Sequence, residues 1–540
     1  MAQQPVRAPD FRWWQRGIIY QIYPRSFQDS NGDGIGDLRG ILDKLDYLEW
    51  LGVDAIWVSP IFVSPMADFG YDVSDYTAID PLFGTLADFD ALLGEVHRRG
   101  MKLLLDYVPN HTSERHPWFV ESRGSRTNAK RDWYIWRDAS PDGGPPNNWR
   151  AYFGGSAWDW DEHTGQYYYH AFLKEQPDLN WRNPEVRWAM LAVLRFWLDR
   201  GVDGFRVDAI HHLVEDIDLR DNPPNPKWRP GMSPYRQLLP TYTVDLPEVQ
   251  EIIGLMCQTA EAHGDRMLIS EVNLPVERLV TYYGAGAKGA HLPFNFQLMR
   301  LPWKAGEISQ AVERYESLLP SNAWPNWVLS NHDKPRIAAR AGPAQARVAA
   351  MLLMTLRGTP TMYYGDEIGM RDVTIPPHRV RDPFEKNLPG LGLGRDPART
   401  PMQWTAEENA GFSTAEPWLP LADDFANCNV AVERDDPSSL LSLYRSLIQL
   451  RRTQPALSVG AFAALPAGDD LMAYVRSRGE RRLLIVLNFG AQAQKFKLAD
   501  LQARVSLLLA THIDRAKQPL GDEVLLRGNE GIIAELSPIG

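Results

Sequence analysis

The sequence predicts an α/β protein built on a (β/α)8 barrel, with a small domain inserted after the third strand and a C-terminal antiparallel β domain. Short apolar segments alternate with amphipathic helical stretches along most of the chain. Several of these segments end in polar side chains, which is typical of the buried parallel strands of a barrel. After about Arg452 the pattern changes to alternating strands, which indicates a separate β domain.

Eight short, β-rich segments are predicted to form the barrel strands: Ile18–Tyr23, Asp54–Val58, Lys102–Tyr107, Gly204–Val207, Met267–Glu271, Leu292–Phe296, Trp327–Ser330 and Thr361–Tyr364. Between them, Leu38–Leu51 and Leu86–Arg99 carry apolar residues at helical spacing and are predicted to be helices. Val348–Leu356 is apolar but shorter than the roughly 18 residues that a membrane span needs, so we expect a buried helix there.

Two insertions interrupt this pattern. The segment from about Asn110 to Trp181 is rich in Trp, Tyr, Gly and Pro and is too long for a loop between a strand and a helix. A second irregular segment follows Asp208. The C-terminal strands are predicted at Leu471–Arg476, Leu483–Asn488 and Val505–Leu509. We therefore divide the chain into a barrel over residues 1–109 and 182–454, an inserted domain over 110–181 and a β domain over 455–540.

Three acidic residues are predicted to meet at one end of the barrel. Arg206 and Asp208 lie two apart on one strand, so their side chains share a face, and a buried acid needs such a partner. Taken alone, this pair is equally well explained as a structural ion pair. Glu271 and Asp333 end two other predicted strands. Because barrel strands converge at their C-terminal ends, we expect Asp208, Glu271 and Asp333 to form one site.

The segments at these strand ends resemble those of the α-amylase superfamily, glycoside hydrolase family 13, in its α-glucosidase and oligo-1,6-glucosidase branch. The matching segments appear in the family's order: Asp106–His111, Gln176–Trp181, Gly204–Ala209, Ile269–Val272, Asn331–Asp333 and Arg399–Trp404. The resemblance implies the same three-part architecture.

The resemblance also implies roles for the acids. Asp208 would be the nucleophile, kept ionised by Arg206, and Glu271 the acid/base. Asp333 would bind sugar hydroxyls, as would two histidines, His111 and His332. The segment around Glu271 has no basic residue and its neighbours are apolar, so we expect surroundings that keep Glu271 protonated.

Other residues of the resembling motifs predict a pocket closed at one end. Asp68 and Arg399 would pair across the pocket and bind the terminal glucose. Tyr71 would stack beneath the sugar ring, and Phe153 and Phe172 would form walls of the entrance. For the aromatic residues the alternative is a place in the core, since the chain contains 19 Trp, 20 Tyr and 19 Phe.

A loop after the first predicted strand has the pattern of a cation site. Its oxygen-bearing residues alternate as in the first part of an EF-hand loop, without the final glutamate. The expected ligands of a structural Ca²⁺ or Mg²⁺ are Asp29, Asn31, Asp33, Asp37 and the carbonyl of Ile35. The alternative is a metal-free Asx-turn. No organic cofactor is expected, because no nucleotide-binding motif is present.

Composition limits the partners. A net charge of −11 and a pI near 5.6 argue against a nucleic-acid-binding surface, and no apolar run is long enough for a membrane. We expect a small oligosaccharide or α-glucoside as the partner, with the oligomeric state open. Two distant cysteines and an N-terminus, Met1 to Gly17, without a signal-peptide pattern predict a cytoplasmic protein.

These observations predict a retaining, exo-acting α-glucosidase with some glucosyl transfer. In the resembling branch, enzymes that prefer α-1,6 bonds usually have valine after the nucleophile, so Ala209 favours α-1,4 bonds such as that of maltose. The alternatives are trehalose synthase, trehalose hydrolase, sucrose isomerase, other glucosyltransferases and oligo-1,6-glucosidase. Lys334, where many α-glucosidases have glutamine, leaves the acceptor side open. A non-enzymatic binding domain of the same fold is disfavoured, since all three acids are present.

Overall fold

The computed structural model describes residues 11–515 and 519–538 and confirms the predicted barrel. Eight parallel strands form one sheet: β1 Ile19–Ile22, β2 Ala55–Val58, β3 Lys102–Tyr107, β4 Gly204–Val207, β5 Met267–Val272, β6 Leu292–Asn295, β7 Asn326–Val328 and β8 Thr359–Tyr363. Their order is β6-β5-β4-β3-β2-β1-β8-β7, and the end strands β6 and β7 lie side by side, so the barrel is nearly closed. β8 begins two residues earlier than predicted, because the strand accommodates Pro360.

Helices cover the outside of the sheet. The longer ones are Leu86–Arg98, Pro184–Asp199, Val249–Glu261, Ala305–Leu318, Pro343–Thr355 and Leu440–Thr453. Shorter ones are Trp13–Arg16, Val276–Leu279, Gln297–Arg300, Ile337–Ala341, Pro383–Asn387, Val430–Asp435 and Pro455–Val459. Among the described residues, none of the helices combines the length and apolar character that crossing a membrane demands.

One segment that was predicted as a single helix forms two helices. Leu38–Leu51 is two helices, Leu38–Asp43 and Leu45–Leu51, which meet at Lys44. The amide of Lys44 donates to the carbonyl of Ile41, three residues back, and its ψ of 5° leaves the helical region. Such a tight final turn ends a helix although the apolar spacing continues through it.

The region between β3 and β4 contains a helix, Pro117–Arg123, and a three-stranded antiparallel sheet of Trp136–Arg137, Gln166–Tyr169 and Trp158–Asp161. Single β-bridges join His111 to Asp178 and Tyr134 to Leu179, so the two ends of the region lie together at the mouth of the barrel. The boundaries proposed for this domain and its neighbours stay predictions, and residues 1–10, 516–518 and 539–540 fall outside the described part of the chain.

The C-terminal region is antiparallel, as predicted. Its strands are β9 Ala461–Leu465, β10 Leu471–Arg478, β11 Arg481–Asn488, β12 Gln494–Lys497, β13 Ala503–Ala510, β14 Pro519–Leu520, β15 Glu523–Leu526 and β16 Gly531–Pro538. Six of them form one sheet in the order β9-β10-β11-β16-β13-β14, and β12 pairs with β15. Alternate residues of the large sheet, such as Leu484 and Val486, are buried in a separate apolar cluster.

Candidate active site

Four acidic side chains come together at the C-terminal end of the barrel. Asp106 lies in β3, Asp208 directly follows β4, Glu271 lies in β5, and Asp333 follows β7. In the parallel register Asp106 stands opposite Arg206, which fixes β3 and β4 side by side at this end. The structure therefore brings together the three acids that the sequence predicts and adds a fourth.

Arg206 connects these acids. Its side chain is fully buried, and its Nη1 donates to Asp208 Oδ1 at 2.6 Å and to Asp106 Oδ1 at 2.8 Å. Its Nη2 contacts the carboxylate of Glu271, and Nη1 lies 3.2 Å from the hydroxyl oxygen of Tyr71. A planar guanidinium bound on several sides can hold carboxylates in fixed orientations. The expected Arg206–Asp208 pair is thus present, as part of a larger cluster.

The expected apolar surroundings of Glu271 are wrong in one respect. Arg206, from the neighbouring strand, contacts the Glu271 carboxylate although the Glu271 segment itself contains no basic residue. The register explains the contact, because Arg206 stands opposite Ile269 and side chains two apart on a strand share a face. A segment taken alone does not reveal which side chain the adjacent strand contributes.

Asp106 is a site residue to which the sequence analysis assigned no role. One carboxylate oxygen accepts from Arg206, and the other accepts from the Tyr71 hydroxyl at 3.1 Å and from the Trp57 indole at 3.2 Å. The sequence could have indicated this role, because Asp106 lies near the end of a mainly apolar strand and a buried acid there needs partners.

The pKa is raised for two of these acids and lowered for a third. Burial raises the pKa of Asp208 to about 7 and that of Asp106 to about 6, against the opposing charge of Arg206. Burial would also raise the pKa of Asp333, but the neighbouring His332, Arg395 and Arg399 outweigh burial and hold that pKa below its ordinary value. Titratable groups with such contrasting surroundings are typical of acid–base sites.

Tyr71 and His332 form a buried pair beside this cluster. The Tyr71 hydroxyl lies 2.7 Å from His332 Nε2, and Gln21 Nε2 lies 2.7 Å from His332 Nδ1. Since the Gln21 amide donates, Nδ1 accepts and the proton lies on Nε2, facing Tyr71. Burial lowers the pKa of His332 well below its ordinary value, so the ring is neutral. The motifs did not indicate Gln21 as a partner of His332, because Gln21 lies inside β1 and not at the end of a strand.

The predicted ion pair between Asp68 and Arg399 is wrong. Asp68 Oδ1 accepts from Arg395 Nη2 at 2.6 Å, and the same nitrogen donates to Asp382 at 2.6 Å. Arg399 instead donates from Nη2 to Asp333 at 3.0 Å and from Nε to the His332 carbonyl at 2.7 Å.

The exchange of partners has a simple geometric cause. A 3-10 turn, Asp396–Ala398, separates the two arginines, so both guanidinium groups face the pocket from one short segment. The predicted partner of Asp68 was Arg399, which opens the Arg-Thr-Pro-Met-Gln-Trp motif. Arg395 is the one that reaches Asp68, and it also lies 3.5 Å from Asp333 Oδ1. Neither Arg395 nor Asp382 was identified from the sequence.

His111 lies next to this ion-pair cluster. It is buried, and its Nε2 is 3.1 Å from the carbonyl oxygen of Tyr71. Gln176 bridges it to Asp68, with its Nε2 3.0 Å from His111 Nε2 and 3.4 Å from Asp68 Oδ2. Burial lowers the pKa of His111 to about 3, so this ring is also neutral.

The two phenylalanines predicted at the entrance differ in their surroundings. Phe172 is half-buried, with its ring centroid 5.2 Å from those of both His111 and His212. Phe153 is buried, packs against Phe384, and lies beneath the Arg395 guanidinium at 5.0 Å. Phe172 is therefore at the rim, whereas Phe153 supports the ion-pair cluster.

The backbone turns sharply directly after Asp208. Ala209 has φ 44° and ψ 34°, in the left-handed region, and the 3-10 turn Ile210–His212 follows. This turn places His211 Nδ1 3.3 Å from the Glu271 carbonyl oxygen. A β-branched residue is strongly disfavoured in this conformation, so the local backbone itself disfavours valine at position 209.

The loop over residues 29–37 adopts hydrogen-bonded turns. The Asp29 carboxylate accepts from the amides of Gly32 at 2.7 Å and Gly34 at 2.8 Å. Asp37 accepts from the amide of Gly40 at 2.6 Å and caps the following helix. Across residues 11–515 and 519–538, no three acidic, histidine or cysteine side chains are grouped to hold a metal. The cation expected at Asp29, Asn31, Asp33, Asp37 and Ile35 stays a prediction.

Comparison with known proteins identifies the family. A family model described as "Alpha amylase, catalytic domain" matches residues 21–460. The chain is 43% identical over 503 residues to a "Probable alpha-glucosidase" of Rhizobium meliloti (strain 1021), covering 90% of this chain and 91% of that protein. It is 39% identical over 527 residues to an "Oligo-1,6-glucosidase" of Parageobacillus thermoglucosidasius, covering 90% and 92% respectively.

Solved structures agree. An α-glucosyl transfer enzyme, XgtA, superposes with a TM-score of 0.92 at 39% identity, covering 98% of this chain and 100% of that one. The trehalulose synthase MutB from Pseudomonas mesoacidophila MX-45 superposes with a TM-score of 0.91 at 35% identity, with the same coverage. On the family match, the relatives and the barrel geometry together, the chain belongs to the α-amylase family of glycoside hydrolases, family 13.

Proposed function

We propose that the protein is a retaining, exo-acting α-glucosidase that releases the terminal non-reducing glucose of short α-glucosides. The observation that carries the proposal is the joining of Asp208 and Glu271 by one guanidinium, next to a pocket wall made by Asp68 and Arg395. Contact with a common guanidinium keeps the two carboxyl groups close, as retaining glycosidases require.

The reaction takes two steps. In the first, Asp208 attacks the anomeric carbon, the bond to the leaving oxygen breaks, and the proton of Glu271 passes to that oxygen. In the second, Glu271 takes a proton from water, and the water oxygen displaces Asp208 from the anomeric carbon. Free glucose leaves with the configuration of the substrate. Arg206 orients Asp208 in both steps, and Asp333 stays ionised to bind sugar hydroxyls.

Exo action follows from the closed end of the pocket. Arg395 is held by Asp68 on one side and by Asp382 on the other, so two buried carboxylates and a nearly buried guanidinium form this end of the pocket. A wall of this kind admits one glucose from its non-reducing end. His111 and the Tyr71–His332 pair line the same pocket and supply hydrogen-bond partners for that glucose.

The preferred linkage is proposed to be α-1,4, because Ala209 leaves more space beside the scissile bond than valine does. Glucosyl transfer to hydroxyl acceptors is part of the proposal, since the ester on Asp208 can react with any hydroxyl that fits. A second candidate, a glucosyl-transferring or isomerising enzyme, is favoured by the similarity to an α-glucosyl transfer enzyme and a trehalulose synthase.

Product analysis separates these candidates. Purified enzyme is incubated with maltose, isomaltose, sucrose and trehalose, and products are resolved by chromatography over time. An α-1,4-preferring hydrolase releases glucose fastest from maltose. Conversion of sucrose or maltose mainly into an isomeric disaccharide supports the second candidate. A faster reaction with isomaltose than with maltose overturns the linkage assignment.

A structural Ca²⁺ or Mg²⁺ in the loop of residues 29–37 is also proposed, on the basis of its alternating oxygen-bearing residues. The Asp29 and Asp37 carboxylates bind main-chain amides, so cation binding requires them to use their remaining lone pairs or to turn. Thermal unfolding with Ca²⁺, Mg²⁺ or chelator tests this, with Asp33→Ala as the variant. An unchanged melting temperature under all conditions excludes the cation.

A cytoplasmic location is the remaining proposal. Cys257 and Cys428 are both unpaired, which suits a reducing compartment. Immunodetection in fractionated host cells tests it, and recovery of the protein outside the cytoplasmic fraction overturns it.

A further inference from the structure

A cavity of about 780 Å³ adjoins the pocket wall. None of the acids of the proposed mechanism lines it, although Phe172 at the rim of the catalytic pocket does. Ala67 and Phe69, the neighbours of Asp68, line it, as does Pro383, the neighbour of Asp382. Phe153, on which Arg395 lies, is also part of its lining. Its volume is within the range of small-molecule sites in proteins.

The charged lining of this cavity is mainly positive. Four basic residues line it, Arg25, Lys174, Arg381 and Lys386, against two acids, Asp159 and Glu175. Within the part of the chain that the structure describes, none of the four basic side chains forms a salt bridge. The whole chain has a net charge of −11, so an unpaired cationic cavity is a local exception that favours an anionic ligand.

Arg25 is the most unusual of these groups. It is 8% exposed, and its guanidinium lies 5.2 Å from the Phe69 ring centroid and 5.0 Å from that of Trp418. Its Nε is buried without a hydrogen-bond partner among the described residues, and its Nη1 has only the Met66 sulfur, at 3.7 Å. A buried cation without a carboxylate partner is costly, and an anion in the cavity would remove that cost.

The other residues that line the cavity indicate which kind of molecule would bear the anionic group. Aromatic side chains, among them Phe69, Trp158 and Trp418, also line the cavity. Aromatic faces beside hydrogen-bonding groups suit a pyranose ring, which has an apolar face and polar edges. We propose that this cavity binds a phosphorylated monosaccharide, with its phosphate at the basic residues and its ring against the aromatic wall.

The test measures binding of glucose 6-phosphate to the full-length chain by isothermal titration calorimetry, with saturating glucose present to fill the catalytic pocket. The variant is Lys174→Ala/Lys386→Ala, because both side chains are exposed and their removal spares the core. The matched control is Lys495→Ala/Lys497→Ala, which removes two exposed lysines from β12 in the C-terminal region. Arg381→Gln serves as a second, independent variant.

We expect saturable binding to the wild type, with Kd raised about tenfold in the Lys174/Lys386 variant and nearly unchanged in the control. Raised salt should weaken binding. Inorganic phosphate should compete, whereas glucose should not. No saturable binding in the presence of glucose, or equal weakening in the variant and the control, would each overturn the proposal. The measurement does not depend on turnover, so its failure is distinct from failure of the proposed glucosidase activity.

Discussion

At the scale of single residues, the protonation of the acids depends on which arginines they contact. Asp106, Asp208 and Glu271 all contact Arg206, whereas Asp333 has Arg395 and Arg399 nearby. The first group therefore has an excess of negative charge, and a proton is retained there more easily. Asp333 lies beside two arginines that help to lower its pKa, so it remains ionised. This division suits a site that needs both a proton donor and a permanent anion.

Asp208→Asn should remove nearly all turnover without unfolding the protein. An amide cannot form the glucosyl ester, and the side chain keeps almost the same shape, so kcat should fall by more than about a thousandfold. Hydrolysis of maltose and the circular dichroism spectrum are measured on the same preparation. Glu271→Gln is the comparison, since it should spare substrates with good leaving groups. Near-normal activity of pure Asp208→Asn would exclude it as the nucleophile.

The acidic limb of kcat/KM should lie near pH 7. The nucleophile reacts when ionised, and burial raises the pKa of Asp208 to about 7, so the rate should fall about tenfold for each pH unit below that value. Burial lowers the pKa of His111 and His211 to about 3, so these histidines do not titrate in this range. The profile is measured with maltose from about pH 4 to pH 9.

Asp106→Asn provides the control for this profile. Asp106 carries a negative charge that raises the pKa of Asp208, so its removal should move the acidic limb to lower pH. A wild-type limb near the ordinary carboxyl range, or a limb that does not move in Asp106→Asn, would contradict the assignment.

At the scale of elements, short turns after strands decide which side chains enter the site. The left-handed residue after β4 turns the chain so that His211 reaches the Glu271 carbonyl. The 3-10 turn between Arg395 and Arg399 assigns one arginine to Asp68 and the other to Asp333. The motifs around these positions were visible in the sequence, but the dihedral angles that separate neighbouring residues were not.

Ala209→Val should destabilise the protein, whereas Ala209→Gly should be tolerated. The left-handed conformation at this position costs a residue with a side chain about 1–2 kcal/mol, more for a β-branched one, and costs glycine almost nothing. Melting temperatures of the two variants are compared with that of the wild type. Equal stability of both variants would show that the turn relaxes when the residue changes.

At the scale of the whole molecule, the inserted region forms part of the rim of the barrel site. Bridges from His111 to Asp178 and from Tyr134 to Leu179 hold its ends at the barrel mouth, where Phe172 meets His111 and His212. The site is thus assembled from distant parts of the chain, including residues near 70, 110, 175, 208, 271, 332 and 395.

The first glucose released should have the α configuration. Two displacements at the anomeric carbon restore the configuration of an α-glucoside, because each one inverts it. Proton NMR spectra of maltose hydrolysis at high enzyme concentration are recorded before mutarotation equalises the anomers. The appearance of β-glucose first would exclude the double displacement, and an added alcohol that yields an α-glucoside would demonstrate transfer.

The sequence by itself determined the barrel, the order of its strands along the chain and the acids at their ends. Asp208, Glu271 and Asp333 lie at or after the C-terminal ends of apolar strands. Because the strands of a barrel are parallel, their C-terminal ends lie at one common rim. The sequence also predicted the Arg206–Asp208 pair, since side chains two apart on a strand share a face.

Only the tertiary structure decided the partners of these residues. The contact of Arg206 with Glu271, the choice of Arg395 for Asp68, and the role of Asp106 all depend on side chains from different strands and loops. The division of Leu38–Leu51 into two helices and the turn at Ala209 depend on backbone angles. Periodicity within a segment carries information about its faces, whereas distances between segments arise only when the whole chain packs.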